Sequence, residues 1–144
     1  MSHVFISHVA EDAATARELA VGLEEAGYTT WRYERDSRPS PPYGTQVLQA
    51  IAQSTVVIVL VSSAALGSWQ VDHDICHAFK TEKAVVPVLI GITHKELRDH
   101  HRDWVLMFGG ATWLSVPPDG VSAFIPRIVQ GLKRMGAEPT PSSH

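Results

Sequence analysis

The run TVVIVLV at residues 55–61 restricts the possible folds more than any other part of this sequence. Every residue in it except Leu60 is β-branched, and Thr55 is its only polar residue. Such side chains favour strands, and a strand that is apolar on both faces is typical of the centre of a parallel sheet with helices on both sides. The run is also far shorter than the ~20 apolar residues that a membrane-spanning helix needs. It therefore predicts the central strand of an α/β protein.

Strand-like and helix-like segments alternate along the rest of the chain. Buried strands are predicted at residues 3–7 and 84–92, an alternating strand at 28–33, and a weaker edge strand at 111–116. The sequence 34–43, ERDSRPSPPY, contains three prolines and is predicted to lack regular structure.

Apolar residues at helical spacing predict the connecting helices. The predicted ranges are 11–27, 44–54, 67–79, a short irregular helix within 94–107, and a last helix that begins near Ser122 with Pro126 in its first turn.

Five strands that alternate with helices predict a doubly wound, flavodoxin-like α/β fold: a five-stranded parallel sheet of order 2-1-3-4-5 with helices on both faces. In this order the second strand is added on one side of the first strand and the third strand on the other, so the sheet has a topological switch point between the first and third strands. Ligands bind at such a switch point, beyond the carboxyl ends of the strands. We therefore expect the functional site near the loops that follow Ser7 and Val61.

The length of 144 residues predicts one domain, at residues 1–135, followed by a Pro/Ser-rich tail or linker at 136–144. The net charge is −3 and the basic residues are scattered, which gives no sign of a nucleic-acid or membrane surface. Cys76 is the single cysteine, so no internal disulfide is possible. A single cysteine fits a reducing compartment. Together with the lack of a leader-like opening, this favours a cytoplasmic location.

The sequence HDICH at residues 73–77 is one carboxylate short of the zinc motif His-Glu-x-x-His, because Asp74 stands where that motif has Glu. On a helical wheel, His73 and His77 lie opposite an apolar face and point to water, so we expect no metal site. Asp74 lies at the border of that face, where a side chain can line the mouth of a cleft. The apolar face is formed by Val71, Ile75, Ala78 and Phe79.

Other chemistries have weaker support in the sequence. The turn SHVAEDA after the first strand lacks glycine and carries two acids, which disfavours a backbone phosphate site. Ser7 and His8 are adjacent on a strand and point to opposite faces, and no Gly-x-Ser-x-Gly elbow is present, which disfavours a serine nucleophile. Trp69 directly follows the switch-point loop, where it could stack on a base or serve as a rim residue.

Three stretches of the sequence carry a resemblance to a known family. The first, VFISHVAEDAATARELAVGLEEAGYTTW, resembles the opening of a TIR (Toll/interleukin-1 receptor) domain, from its first strand through its first helix. The sequence RDSRPSPPYGTQVLQAIAQSTVVIVLVSSAALGSWQV is similar to its BB loop, second helix and third strand, and SSAALGSWQVDHDICHAF resembles its Ser-x-x-Ser-x-x-Ser-x-x-Val-x-x-Glu pattern. The resemblance spans residues 4–132 and is closest to bacterial TIR domains.

The resemblance implies cleavage of the nicotinamide–ribose bond of NAD, an NAD+ nucleosidase activity in defence or stress signalling that self-association activates. Hydrolysis and cyclisation both remain open as the outcome of this cleavage. In catalytic members a glutamate after the third strand stabilises the oxocarbenium-like transition state, and aligning Ser68 and Val71 with the pattern places Asp74 at that position. NAD would then be a substrate, and no cofactor is expected. The residues expected to bind the substrate are Ser7, His8, Arg32, Tyr33, Ser68 and Trp69.

The same resemblance implies an alternative, a non-catalytic module that acts through TIR–TIR contacts, either alone or with a fused or partner sensor domain. Asp is one methylene shorter than Glu, so the site could be active with a shifted helix, slow, or degenerate. The BB-loop residues expected to mediate self-association are Ser37, Arg38, Pro39, Pro41, Pro42 and Tyr43.

Overall fold

The computed structural model describes residues 3–39, 42–110, 113–117 and 120–139, apart from the side chain of Tyr43. It contains a five-stranded, all-parallel sheet of order β2-β1-β3-β4-β5, which confirms the predicted topology. The strands are β1 (His3–Ser7), β2 (Thr29–Trp31), β3 (Val56–Val61), β4 (Ala84–Ile90) and β5 (Leu114–Val116).

Strand β3 lies at the centre of the sheet, and all six of its residues are buried. It pairs in parallel with β1 on one side and β4 on the other. Ser7, the last residue of β1, pairs with Val59, so β3 continues for two residues beyond β1 at the carboxyl edge. This difference in length leaves Ser7 at the switch point, beside the segment that follows β3.

Helices cover both faces of the sheet. They are α1 (Ala13–Glu25), α2 (Tyr33–Asp36), α3 (Tyr43–Gln53), α4 (Trp69–Lys80), α5 (His94–His100), α6 (Arg102–Phe108) and α7 (Val121–Arg134), with 3₁₀ turns at Ala10–Asp12 and Ala65–Gly67. Alternate residues of the strands enter two separate cores, one shared with α1 and α7 and the other with α3 to α6. Burial on both sides explains why β3 has no polar face.

The predictions around β2 were partly wrong. The strand ends at Trp31 rather than at residue 33, and the segment expected to be irregular begins with the short helix α2. The carboxylate of Asp36 stabilises this turn by accepting the backbone N–H of Arg32 at 3.0 Å. The guanidinium of Arg35 also contacts Asp36 at 2.8 Å and Glu24 at 2.6 Å, which ties α2 to α1. Local side-chain contacts therefore produce a helical turn ahead of the prolines.

The irregular helix expected within residues 94–107 is two helices, α5 and α6. His101 separates them, because its φ of −141° and ψ of 77° interrupt the helical path. The last helix begins at Val121, one residue earlier than predicted, and this start places Pro126 in its second turn rather than its first.

The packed part of the chain continues past α7. Ala137 is fully buried, and its carbonyl accepts a hydrogen bond from the hydroxyl of Tyr28 at 2.7 Å. Residues 140–144 of the predicted tail lie outside the described residues. Within the described ranges, no helix is long and apolar enough to cross a membrane.

Candidate functional site

Ser7 and Asp74 meet at the carboxyl edge of the sheet, although 67 positions separate them in the sequence. Ser7 ends β1, and Asp74 lies on α4, the helix that follows β3. The Ser7 hydroxyl donates a hydrogen bond to Oδ2 of Asp74 at 2.8 Å, and both residues are at least 95% buried. The switch point predicted from topology therefore contains a buried carboxyl group.

The environment of Asp74 changes its acidity. Burial raises the pKa of Asp74 from 3.8 to about 7, and the hydrogen bond from Ser7 lowers it by a smaller amount. The second carboxyl oxygen, Oδ1, is buried without a hydrogen-bond partner, and the nearest ring nitrogen of His73 lies 4.0 Å away. A buried oxygen without a partner is costly in a folded protein, so this unsatisfied acceptor calls for an explanation.

Arg32 carries the other unpartnered group. In the part of the chain that the structure describes, two buried side-chain polar atoms lack a hydrogen-bond partner: Oδ1 of Asp74 and Nε of Arg32. Both belong to residues that the resemblance assigns to the substrate site. The oxygen of Asp74 is an acceptor and the nitrogen of Arg32 is a donor, so the two unmet groups differ in kind. The next residue, Tyr33, is 43% exposed.

His8 is held by Glu34, a residue that the sequence analysis did not connect with it. Its Nε2 lies 2.7 and 2.9 Å from the two carboxylate oxygens of Glu34, and its Nδ1 lies 3.2 Å from the carbonyl oxygen of Ile6. The side chain of His8 is 2% exposed. Glu34 was missed because its segment was predicted to be irregular, and no local pattern indicates a contact across 26 residues.

Ser68 and Trp69 lie at the start of α4 and differ in their contacts and exposure. Ser68 is the N-cap, since its hydroxyl oxygen accepts the backbone N–H of Val71 at 3.1 Å. Trp69 is 72% exposed, and its ring meets the ring of His73 edge-on at 6.1 Å. Ser68 therefore caps the start of α4, and Trp69 remains accessible to solvent.

The observed exposure of side chains on α4 differs in part from the exposure that the helical wheel predicted. His73 is exposed as predicted, whereas His77 is half-buried, and burial lowers the pKa of His77. Their rings are nearly parallel, with centroids 6.5 Å apart. Phe79, which the wheel placed on the apolar face, is 55% exposed near the end of the helix. Among the described residues, no group of three or more His, Cys, Asp or Glu side chains could hold a metal ion.

The BB-loop residues lie on the surface where the structure describes them. Arg38, Pro39 and Pro42 are exposed and Ser37 is half-buried, whereas Pro41 and the side chain of Tyr43 lie outside the described residues. A buried glutamine, Gln46, holds the base of the loop: its side-chain oxygen accepts the N–H of Arg38 at 2.7 Å, and its amide donates to the carbonyl of Arg38 at 2.5 Å.

Comparison with known families decides the identity of this fold. A family model for the TIR domain matches residues 4–115, which include β1 to β4 and the whole of α4. The chain belongs to the TIR domain family. The family predicted from the sequence is therefore confirmed. No curated protein matches this TIR domain in sequence.

Several solved structures share the fold of this TIR domain. A metazoan TIR-STING receptor from C. gigas, in complex with 2',3'-cGAMP, is 26% identical with a TM-score of 0.73, over 96% of this chain and 40% of that one. The TIR domains of the activated Roq1 resistosome, which directly recognises the pathogen effector XopQ, are 18% identical with a TM-score of 0.63, over 95% of this chain and 81% of that one. BcmB, a CMP N-glycosidase from Clostridium botulinum, is 16% identical with a TM-score of 0.62, over 88% of this chain and 97% of that one. The chain thus spans 40% of the length of the TIR-STING receptor chain.

Proposed function

We propose that this TIR domain cleaves the nicotinamide–ribose bond of NAD, with Asp74 as the catalytic carboxylate. The observation that carries the proposal is the buried carboxyl group at the switch point, fixed by Ser7 through one oxygen and unpartnered at the other. The existence of a CMP N-glycosidase with the same fold supports it, because that architecture is compatible with breaking an N-glycosidic bond. The TIR-STING receptor, whose fold is similar over 40% of its chain, is itself in complex with the nucleotide 2',3'-cGAMP.

In the proposed reaction the bond between the ribose C1′ and the pyridinium nitrogen breaks, and its electron pair leaves with neutral nicotinamide. Positive charge develops on the ribose, and an adjacent carboxylate stabilises it. Oδ1 of Asp74 accepts a ribose hydroxyl while Ser7 holds Oδ2 in place. Water then attacks C1′ and loses a proton, which gives ADP-ribose. Because the carboxylate must be ionised, release of nicotinamide should rise as the pH passes about 7.

Two further residues suit parts of the same substrate. Arg32 presents a buried guanidinium nitrogen without a partner, which fits the diphosphate of NAD. Trp69 presents an exposed ring at the start of α4, which fits stacking on a planar base. In this proposal Ser7 and Ser68 act on the protein itself, by holding Asp74 and by capping α4.

The test is release of nicotinamide from NAD by concentrated protein, followed by chromatography. Asp74→Ala should abolish release, and Asp74→Glu should retain or increase it, since Glu supplies the carboxylate of the family pattern. Asp99→Ala, which removes an exposed acid on α5, serves as the matched control and should behave as wild type. Full release by Asp74→Ala would overturn the assignment of the carboxylate. Absence of release in wild type, with recovery in Asp74→Glu, would instead favour a non-catalytic module.

The exposed BB loop supports the second candidate function, self-association through TIR–TIR contacts as an interaction module or as the step that activates cleavage. Arg38 and Pro39 are exposed while Gln46 holds the backbone of Arg38, so the first part of the loop is held in place at the surface. Arg38→Glu reverses a charge without removing either backbone hydrogen bond. We expect it to shift the protein toward the monomer in sedimentation experiments, whereas Arg98→Glu on α5 should not. Unchanged sedimentation of the Arg38→Glu variant would exclude the loop as the contact.

A further inference from the structure

Helix α4 carries Asp74 toward Ser7, and the opposite side of the same helix is held by α6. Trp104 of α6 is completely buried, and its indole Nε1 donates a hydrogen bond to Oδ1 of Asp72 at 2.7 Å. Asp72 and Asp74 are two residues apart, which places their side chains about 200° apart around the helix axis. The hydrogen bonds of Trp104 and Ser7 therefore hold α4 from nearly opposite directions.

A second contact from the same region reaches the turn that leads into α4. The ring of His101 stacks on the ring of Trp104, with centroids 3.8 Å apart and planes within 3°. Nε2 of His101 donates to the carbonyl oxygen of Leu66 at 2.5 Å. Leu66 lies in the 3₁₀ turn that ends immediately before Ser68, the N-cap of α4. His101 and Trp104 thus contact the segment 66–72 at both of its ends.

We propose that Trp104 and His101 are positioning residues, which set the place of α4 so that the short side chain of Asp74 reaches Ser7. An O–H···O hydrogen bond extends over about 2.5–3.0 Å, and a displacement of α4 by about one ångström exceeds that range. Aspartate has no additional methylene with which to compensate. The cleavage proposed above is needed only for the catalytic consequence of this inference, since the position of Asp74 can be measured without NAD.

The primary measurement is the titration of the Asp74 carboxyl carbon by NMR in protein with ¹³C-labelled aspartate, without NAD. In Asp72→Ala, loss of the contact with Trp104 should let α4 move and admit water, so the pKa of Asp74 should fall from about 7 toward that of an exposed aspartate. Asp72→Asn keeps an oxygen that accepts the indole N–H, so its titration should match wild type. Trp104→Phe, which keeps a ring but lacks the donor, should behave as Asp72→Ala.

Ile128→Val is the matched control for a loss of stability alone. Ile128 is buried on α7 in the core on the other face of the sheet, so its truncation should lower the melting temperature without changing the titration of Asp74. A wild-type titration in Asp72→Ala would overturn the inference, as would an equal change in Ile128→Val. Asp72 is half-buried, so the decisive variant does not depend on whether Trp104→Phe folds.

Nicotinamide release gives the catalytic readout. Asp72→Ala should lower kcat by about tenfold or more with a smaller change in KM, since a misplacement of about 1 Å at a reacting group can cost ~100-fold. Asp72→Asn should restore the rate. If wild type releases no nicotinamide, the proposed reaction fails, and the NMR titration still decides whether α6 positions Asp74.

Discussion

At the scale of single residues, the site depends on how few polar groups surround Asp74. The carboxyl group receives one hydrogen bond, from Ser7, and its other oxygen has no partner. Desolvation therefore outweighs hydrogen bonding, and the pKa of Asp74 rises to about 7. A carboxyl group in this state changes its charge near neutral pH, where an exposed aspartate is fully ionised.

This acidity makes the stability of the protein depend on pH. Because the folded-state pKa lies above the unfolded value near 3.8, the native state binds the extra proton between pH 4 and 7. The stabilisation from the neutral carboxyl is complete at low pH and is lost as the pH rises through 7. Asp74→Asn should accordingly become more stable relative to wild type as the pH rises from 4 to 8, by up to about 4 kcal/mol.

Urea unfolding of both proteins at each pH measures this difference. Asp99→Asn, an exposed carboxylate on α5, is the control and should show no such trend. A difference between Asp74→Asn and wild type that stays constant from pH 4 to 8 would mean that Asp74 titrates like an exposed aspartate.

At the scale of secondary-structure elements, α4 and its surroundings decide the geometry of the site. Its N-cap, Ser68, fixes where the helix starts, and α6 and β1 contact it from two sides. The resemblance assigned Ser68 to substrate binding. The structure shows its hydroxyl oxygen accepting the N–H of Val71, which is a contact within the protein.

The capping role predicts a specific pattern of stability. Ser68→Ala should lower the free energy of unfolding by about 1 kcal/mol, because the N–H of Val71 loses its acceptor. Ser68→Asp should restore most of that loss, since aspartate is an equally good N-cap and its charge suits the helix N-terminus. Chemical denaturation measures both variants, with the exposed Ser63→Ala as the control. A Ser68→Ala variant as stable as wild type would contradict the cap.

At the scale of the whole molecule, the sheet places buried strands at the centre and short strands at the edges. β3 is buried on both faces, whereas β2 and β5 are three-residue edge strands that are partly exposed. Ser7 and the start of α4 flank this rigid centre. The candidate site is thus anchored to the best-packed part of the fold, while the BB loop lies at the more exposed edge beside β2.

Amide hydrogen exchange should report this arrangement directly. Amides of β3 should exchange only through global unfolding, since no smaller opening exposes them, whereas those of β2 and β5 should exchange faster through local opening. NMR or mass spectrometry of exchange under native conditions resolves the three strands. Equal protection in β2 and β3 would show that the edge is as stable as the centre.

Much of the fold followed from short-range patterns. The apolar run at residues 55–61 identified β3, and the alternation of strands and helices gave the order 2-1-3-4-5, because the handedness of crossovers leaves few alternatives. The segment after β2 was harder, since the helix α2 depends on contacts of Asp36 and Arg35 rather than on helical periodicity. The boundary at His101 was missed for the same reason, because a break in backbone path has no apolar signature.

The sequence by itself determined the fold class and the edge of the sheet where a site should lie, because strand periodicity and crossover rules act locally or through simple geometry. The family followed separately, from the resemblance of its motifs to those of TIR domains. The tertiary structure alone brought Ser7 to Asp74 and Glu34 to His8, and it set Trp104 against Asp72. These contacts join residues 26 to 67 positions apart. Burial and the number of available donors then decided the acidity of Asp74, and both depend on how the helices pack on the sheet.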